Sequence, residues 1–341
     1  MLKNDAARRQ EHETIRNHVG FYDFTHQLVE VKGPDALTFL DRIYVNKIAA
    51  TKPGRAQYTT MLNEDGKIID DVIVFRLTED TFWVSTLYVK ELLDWLEKHK
   101  GSLDVSVEEI THNVSMFAVQ GPKSRDLLNK ILQDNIDDLK YFRIRDNKLD
   151  GLDVKVARAG FTGELGFEIY IQPDKTDQLR SKLLKAGEEF GIKEMTTDVI
   201  LKSLPVEKGY VLMSDVGGLT PMEAMLDLSI DWDSDFIGKD ALLKEKEQGS
   251  PMRLRGFTLT GDEADVAIEE GAPVTYNGEE VGKVTSFTYG YTVEKYIGYV
   301  LIDTEKVPEN EPITLTSGGK DYTATSHDRI FYDEEHSRIR A

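Results

Sequence analysis

The sequence predicts an α+β protein with an all-β unit at its carboxyl-terminal end, and three observations carry that prediction. Up to Leu132, strand-like and helix-like runs follow in the order strand, helix, strand, strand, helix, which is not the alternation of a doubly wound parallel sheet. At Gly249-Ser250-Pro251 a turn-forming triplet interrupts the chain. Beyond it the pattern becomes short strands parted by Gly-rich turns, the mark of a small barrel or sandwich of about 90 residues. A chain of 341 residues has room for two or three domains. The boundary is placed so that residues 1–248 form the α+β region and residues 249–341 the β unit.

Taken in order, residues 3–18 mix charges with few apolar positions and predict a helix. The stretch from His18 to His26 leads into a strand at 28–32. Gly33-Pro34-Asp35 stops that strand and opens a helix, with Ala36, Phe39, Leu40 and Ile43 at helical spacing. Residues 58–76 follow as a β-hairpin around the turn Asn63-Glu64-Asp65-Gly66. A strand at 82–86 precedes an amphipathic helix at 90–100 with Leu92, Leu93 and Leu96 inward. Strands at 104–110 and 115–119 come next, and Gly121-Pro122 introduces a helix at 123–132. A strand at 152–157, a glycine-rich turn, a strand at 167–171 and helices at 174–190 and 196–204 continue the pattern. Pro205 is expected to end the last of these. Leu219–Met225 reads as a Pro-initiated segment, 227–232 as a strand and 243–247 as a charged helix. The β unit reads as strands at 254–259, 272–276, 280–286, 298–302, 313–315 and 322–325.

Composition excludes several kinds of chemistry. The formal net charge is −19, from 61 acids against 42 bases, and nucleic acid or anionic membrane would need a basic face. With no Cys there is no disulfide, thiolate nucleophile, zinc ribbon or iron–sulfur cluster. The seven His are scattered without metal-ligand spacing, so no metal site is expected. Met1–Glu13 lacks the apolar core of a signal peptide, and no run reaches the ~18 apolar residues of a membrane span. The protein is read as cytoplasmic. No GxGxxG or GK[ST] phosphate loop occurs.

Two stretches hold polar groups where a fold should be apolar. In the hairpin's second strand, Ile68, Asp70, Val72 and Val74 face one way and Ile69, Asp71, Ile73 and Phe75 the other. Both faces are apolar, so at least one carboxylate must sit where water is scarce, either paired, capping or doing chemistry. In Arg158–Ile171, glycines at 160, 163 and 166 give a turn with room for a close approach to the backbone. In the strand that follows, Glu168 and Tyr170 share one face, and Phe167, Ile169 and Ile171 the other. Taken alone, each acid is more readily explained as a satisfied or solvated carboxylate.

Several stretches in order along nearly the whole chain resemble the folate-binding aminomethyltransferase family, typified by the T-protein of glycine cleavage. They are Gly20-Phe-Tyr-Asp-Phe-Thr-His26, Tyr58-Thr-Thr-Met-Leu-Asn-Glu-Asp-Gly66, Gly66-Lys-Ile-Ile-Asp-Asp-Val72 and Gly160-Phe-Thr-Gly-Glu-Leu-Gly-Phe-Glu168. Val206-Glu-Lys-Gly-Tyr210, Thr220-Pro-Met-Glu-Ala224, Asp235-Phe-Ile-Gly-Lys-Asp-Ala-Leu242 and Gly282-Lys-Val-Thr-Ser286 continue the match. The resemblance implies two interleaved α+β lobes in 1–248 that bind tetrahydrofolate in a central hole, with a β-barrel at 249–341. It implies Asp71 as the catalytic carboxylate and Tyr58, Asp71, Phe161 and Glu168 as folate-binding residues. One carboxylate such as Glu168 can accept from both the 2-amino group and the ring N–H of a pterin. Phe161 offers a wall for a flat heterocycle, and Asp71 could accept a proton.

The chain departs from the glycine-cleavage members in three places. They usually carry an aromatic- and glycine-rich leader, where this chain has a polar helix. By spacing, Leu201 and Pro205 stand where they have arginines, and Phe161 where they have Tyr. A related iron–sulfur-maintenance branch has a Cys motif that this chain lacks. The expectation is a tetrahydrofolate-dependent transferase of aminomethyl or methyl groups from a small donor. The alternatives are an O-, S- or N-demethylase using the same folate chemistry, or a non-catalytic folate-binding regulator. A carrier protein or flavoprotein partner is compatible with the resemblance.

Overall fold

The computed structural model describes residues 2–24, 27–261, 263 and 265–341. Thr25 and His26 of the first matching stretch lie outside the described residues. The first elements are α1 (Ala6–Asn17), β1 (Gly20–Asp23), β2 (Gln27–Lys32), α2 (Ala36–Ile43), β3 (Arg55–Leu62), β4 (Ile68–Arg76), β5 (Thr81–Thr86), α3 (Val89–Lys100) and β6 (Ser106–Glu109). β7 (Ser115–Gln120), α4 (Ser124–Ile131), β8 (Ile144–Leu149), β9 (Leu152–Ala157), β10 (Gly166–Ile171), α5 (Thr176–Gly187) and β11 (Lys193–Glu194) follow. Then come α6 (Thr197–Leu201), α7 (Ser203–Lys208), α8 (Met213–Val216) and α9 (Lys239–Gln248). The carboxyl-terminal elements are β12 (Met252–Leu259), β13 (Pro273–Tyr276), β14 (Glu279–Gly290), β15 (Lys295–Asp303), β16 (Pro312–Ser317), β17 (Lys320–His327) and α10 (Ser337–Arg340).

These strands build an α+β fold of three parts. β3-β4-β5-β2-β6 make a five-stranded sheet, β11-β1-β7-β10-β9-β8 a six-stranded sheet, and β12-β15-β14-β13-β16-β17 a closed barrel. The two lobes are interleaved because β1 joins the six-stranded sheet, β2 to β6 build the other, and β7 returns to pair with β1. Each sheet buries one face under helices. Val72 and Val74 pack with Phe39, Leu40, Leu92 and Leu96 of α2 and α3, and Phe167 and Ile169 with Leu127, Leu128, Leu179 and Leu183 of α4 and α5. The other two faces meet. Phe75 of β4 and Trp83 of β5 pack on Tyr170 of β10, with ring centroids 5.7 and 5.8 Å apart. The order is therefore helix, sheet, sheet, helix, and whatever points away from the helices is enclosed between the sheets. Burying each such aromatic contributes roughly 2–3 kcal/mol of apolar transfer. The barrel closes on its own core of Val274, Val284, Val300, Ile313 and Leu315.

The structure corrects four sequence expectations. Residues 227–232 are not a strand: Asp227–Ser229 is a single 3-10 turn in which the Ser229 hydroxyl bonds the Leu226 carbonyl at 2.7 Å. That local side-chain bond competes with extended pairing. Pro205 does not end a helix. The chain breaks one residue before Ser203, and Pro205 lies in the first turn of α7, where its missing N–H has no intrahelical partner to lose. α9 is longer than the segment 243–247. β8, rich in charge, escapes the alternation rule because it is an edge strand paired only with β9.

Candidate functional site

The hairpin is fixed by its turn. Gly66 takes a left-handed φ of 76°, and Asn63 Oδ1 accepts from the Asp65 and Lys67 N–H groups at 3.1 and 2.9 Å. The resulting register sets Tyr58 opposite Ile73 and Thr60 opposite Asp71. Strand alternation then separates the two acids. Asp70 points into the helix-covered core and is 0% exposed, with Thr86 Oγ1 donating to its Oδ2 at 2.7 Å. Its Oδ1 has no partner, and burial pushes its carboxyl up to about 7. Asp71 points between the sheets, where the Tyr58 hydroxyl donates to its Oδ2 at 2.9 Å. Burial pushes Asp71 up to about 6, the Tyr58 bond opposes that rise, and the nearby Asp215 charge adds to it.

Glu168 arises from the same alternation in β10. It is 4% exposed and flanked across the sheet by Ala118 of β7 and Ala157 of β9. The Tyr170 hydroxyl donates to Glu168 Oε2 at 2.7 Å, and burial raises the carboxyl to about 7. Burial first, and the Glu168 charge second, push the pKa of fully buried Tyr22 on β1 upward and keep its hydroxyl protonated. Asp71, half-buried, and Glu168, buried, share a design: a carboxylate on a tyrosine hydroxyl, with no ion pair among the described residues. Both can accept hydrogen bonds from a ligand, and both hold a proton readily near neutral pH.

Phe161 lies in the glycine-rich turn and stacks on Tyr210 just past α7, with centroids 5.5 Å apart and planes 22° apart. Tyr210 in turn hydrogen-bonds Tyr141. The glycines of this turn serve the protein's own packing, contrary to the expected approach of something from outside. A Cβ at Gly160 or Gly166 would lie 2.0 or 2.2 Å from Gln120 Oε1, and one at Gly163 2.9 Å from Lys208 Cγ. Gln120 holds the turn by donating to Ala159 O at 3.0 Å and accepting from Thr162 Oγ1 at 2.8 Å.

The structure therefore brings the predicted residues into two poles. Tyr58 and Asp71 form one, and in the other Phe161 is linked to Glu168 through Tyr210 and Tyr141, which feels the Glu168 charge. Phe75 against Tyr170 bridges the sheets that carry them. A small cleft of about 40 Å³ opens between α6, α7, α8 and β14, lined among others by Leu201, Lys202, Pro205, Tyr210, Asp215 and Phe287. Asp215 is buried there, accepting from Leu212 N at 2.9 Å and from Ser286 Oγ. Sequence reasoning missed Tyr22, Tyr141, Tyr170, Tyr210 and Asp215. Tyr170 could have been found, since it shares a strand face with Glu168 two residues away. Among the described residues no group of His, Asp or Glu could hold a metal ion, and no helix is long and apolar enough to cross a membrane.

Comparison with known proteins points one way. Residues 3–234 match the GCVT N-terminal domain, and residues 253–333 match the glycine cleavage T-protein C-terminal barrel domain. The chain is 35% identical over 312 residues to an aminomethyltransferase of Halothermothrix orenii, covering 90% of this chain and 86% of that protein. It is 33% identical to a probable aminomethyltransferase of Thermococcus kodakarensis, covering 95% and 89%. Among solved structures, the glycine cleavage system aminomethyltransferase T of Bartonella henselae superposes with a TM-score of 0.87 at 25% identity, covering 96% of this chain and 90% of that one.

Proposed function

The chain belongs to the glycine cleavage T-protein family, and from that premise we propose that it transfers a one-carbon unit, aminomethyl or methyl, from a small donor to tetrahydrofolate. The observation that carries the reading is the pair of tyrosine-bonded carboxylates on facing sheets, half-buried Asp71 and buried Glu168. A pterin edge offers two adjacent N–H donors to a carboxylate, and Glu168, bonded through Oε2 to Tyr170, keeps lone pairs that can accept both. Phe161 and Tyr210 supply aromatic surface for a flat ring. Tetrahydrofolate supplies the nucleophilic nitrogen that receives the carbon. Asp71, raised to about 6, takes up or returns a proton beside the reacting atoms, and Tyr58 fixes the orientation of its Oδ2.

The donor side follows from the cleft. Leu201 and Pro205 line it and provide no side-chain donor, and Lys202 is the basic group at its wall. That surface favours a small methylated or aminomethylated compound over the aminomethylated arm of a carrier protein, with a carrier or flavoprotein as an auxiliary partner. The test is product analysis with tetrahydrofolate and a donor panel that includes aminomethylated lipoyl carrier protein. Methylene-tetrahydrofolate from a small amine marks aminomethyl transfer, and 5-methyl-tetrahydrofolate marks demethylation. Efficient ammonia release from the carrier alone refutes the small donor. Folate binding without turnover of any donor refutes the enzyme reading.

A further inference from the structure

A buried arginine outside the pterin site links its two aromatic walls. Arg16, on α1, is 3% exposed and spends its guanidinium inside the protein. Nη1 donates to Thr162 O at 2.6 Å and to Glu164 Oε1 at 3.2 Å. Nη2 donates to Leu204 O at 3.3 Å and to Glu207 Oε2 at 2.8 Å, and Nε donates to Thr292 Oγ1 at 3.1 Å. The ring of Tyr332 lies 4.4 Å from the guanidinium carbon. Thr162 is the neighbour of Phe161, and Leu204 and Glu207 belong to α7, whose Pro205 carbonyl accepts from the Tyr210 N–H at 3.0 Å. One planar fork thus bonds both the turn that carries Phe161 and the helix that leads to Tyr210.

Resting on the folate reading above, we propose that Arg16 is a positioning residue that sets the Phe161–Tyr210 aromatic pair and thereby the affinity for tetrahydrofolate. Both walls are short irregular segments, a glycine turn and a helix of six residues, with little regular pairing to hold them together. A guanidinium presents donors in two directions at fixed angles, whereas an ammonium at the end of a flexible stem cannot bond both walls in the same geometry. The surroundings keep that fork in place. His12 Nε2 lies 3.2 Å from Glu207 and its Nδ1 2.9 Å from Ser203 Oγ, while Arg338 Nε donates to Glu164 Oε2 at 2.9 Å and its Nη2 to the Arg16 carbonyl at 2.6 Å. Removing only the fork therefore leaves both acids with other partners.

The experiment is a double-mutant cycle on tetrahydrofolate affinity, read by titration calorimetry on Arg16→Lys, Phe161→Ala and the double variant, with thermal unfolding measured beside it. Arg16→Lys is expected to weaken binding about tenfold, and to do nothing further once Phe161 is Ala, because coupled positions are non-additive. KM for tetrahydrofolate should rise by more than kcat falls, a split that general destabilisation would not produce. If Arg16→Lys does not fold, Glu164→Gln, which loosens the same link from the turn side, must show the same non-additivity with Phe161→Ala. Additive losses, or unchanged affinity in Arg16→Lys, overturn the proposal while the folate reading stands. Unchanged affinity in Phe161→Ala overturns the folate wall and the proposal with it.

Discussion

Asp71→Asn separates charge from shape at the carboxylate proposed to handle the proton. The amide oxygen can still accept from the Tyr58 hydroxyl, which lies 2.9 Å from Oδ2, so the geometry of the pole should survive. What changes is the ionisation. Burial holds Asp71 at about 6, against about 3.9 for an ordinary Asp, and at about 1.4 kcal/mol per pH unit the ionised group costs the fold up to roughly 3 kcal/mol at pH 7. Because the folded protein binds that proton more tightly than the unfolded chain, the penalty is absent below the ordinary value and develops as pH rises through the folded one. The variant should therefore gain up to roughly 3 kcal/mol of stability at pH 7, with the gain shrinking toward about pH 4. Turnover should fall about 10²-fold or more, with tetrahydrofolate affinity kept within about tenfold. Chemical denaturation at several pH values, set beside single-turnover product formation, reads both effects. Asp70→Asn is the control, because that carboxyl sits on the helix-covered face and should alter stability alone. Turnover within about threefold of the parent in Asp71→Asn, or a larger catalytic loss in Asp70→Asn, would refute the assignment.

Glu168→Ala should weaken tetrahydrofolate binding by about 1.5–3 kcal/mol, the worth of a charge-assisted hydrogen bond, as read by titration calorimetry on folded protein. Unchanged affinity would remove Glu168 from the site. Tyr58→Phe deletes the bond that opposes the rise of Asp71, so the acid limb of the kcat/KM profile should move above pH 6. A limb that stays in place or moves down would show that Asp71 does not govern it. Gly160→Ala should destabilise by about 1–3 kcal/mol through overpacking, since its Cβ would lie 2.0 Å from Gln120 Oε1. Adding Gln120→Ala should recover part of that loss, and no recovery in thermal unfolding would argue against the packing account.

The hairpin was legible because its turn chemistry and its period of two are both local. Asn63 and Gly66 state the turn, and alternation alone assigns Asp70 to the covered face and Asp71 to the enclosed one. The same rule placed Glu168 with Tyr170. It could not state how buried Glu168 is, because that depends on Ala118 and Ala157, which arrive from strands 50 and 11 residues back along the chain (168 − 118 = 50; 168 − 157 = 11). Residues 227–232 misled for the opposite reason. Their apolar alternation suits a strand, but the Ser229 side chain closes a turn instead. Arg16 was invisible for a third reason. A charge on a polar helix reads as solvated, and only the folded chain shows Thr162, Leu204 and Glu207 converging on it from far along the sequence.

The cleft lets the departures from glycine-cleavage members be weighed by position and not by count. Leaving the leader aside, Leu201 and Pro205 both line it, so two of the three single-residue departures fall at one place in the fold. Phe161, the third, stacks on Tyr210, which lines the same cleft. Substitutions scattered over the surface would say little about specificity, but these three converge on one wall. Losing side-chain donors at Leu201 and Pro205 leaves an anionic ligand there with the single ammonium of Lys202, a point charge without a bidentate fork. The same change makes the wall more apolar beside Phe287, which suits the methyl groups of a small alkylated donor. Asp71 lies close enough to the cleft to feel the charge of Asp215 in its lining, while Asp71 with Tyr58 and Glu168 with Tyr170 keep their own bonds on the facing sheets. On the reading proposed above, a chain altered at the cleft while the two carboxylate poles are intact keeps the folate chemistry and differs in its one-carbon donor, and the donor panel decides between that and the carrier protein.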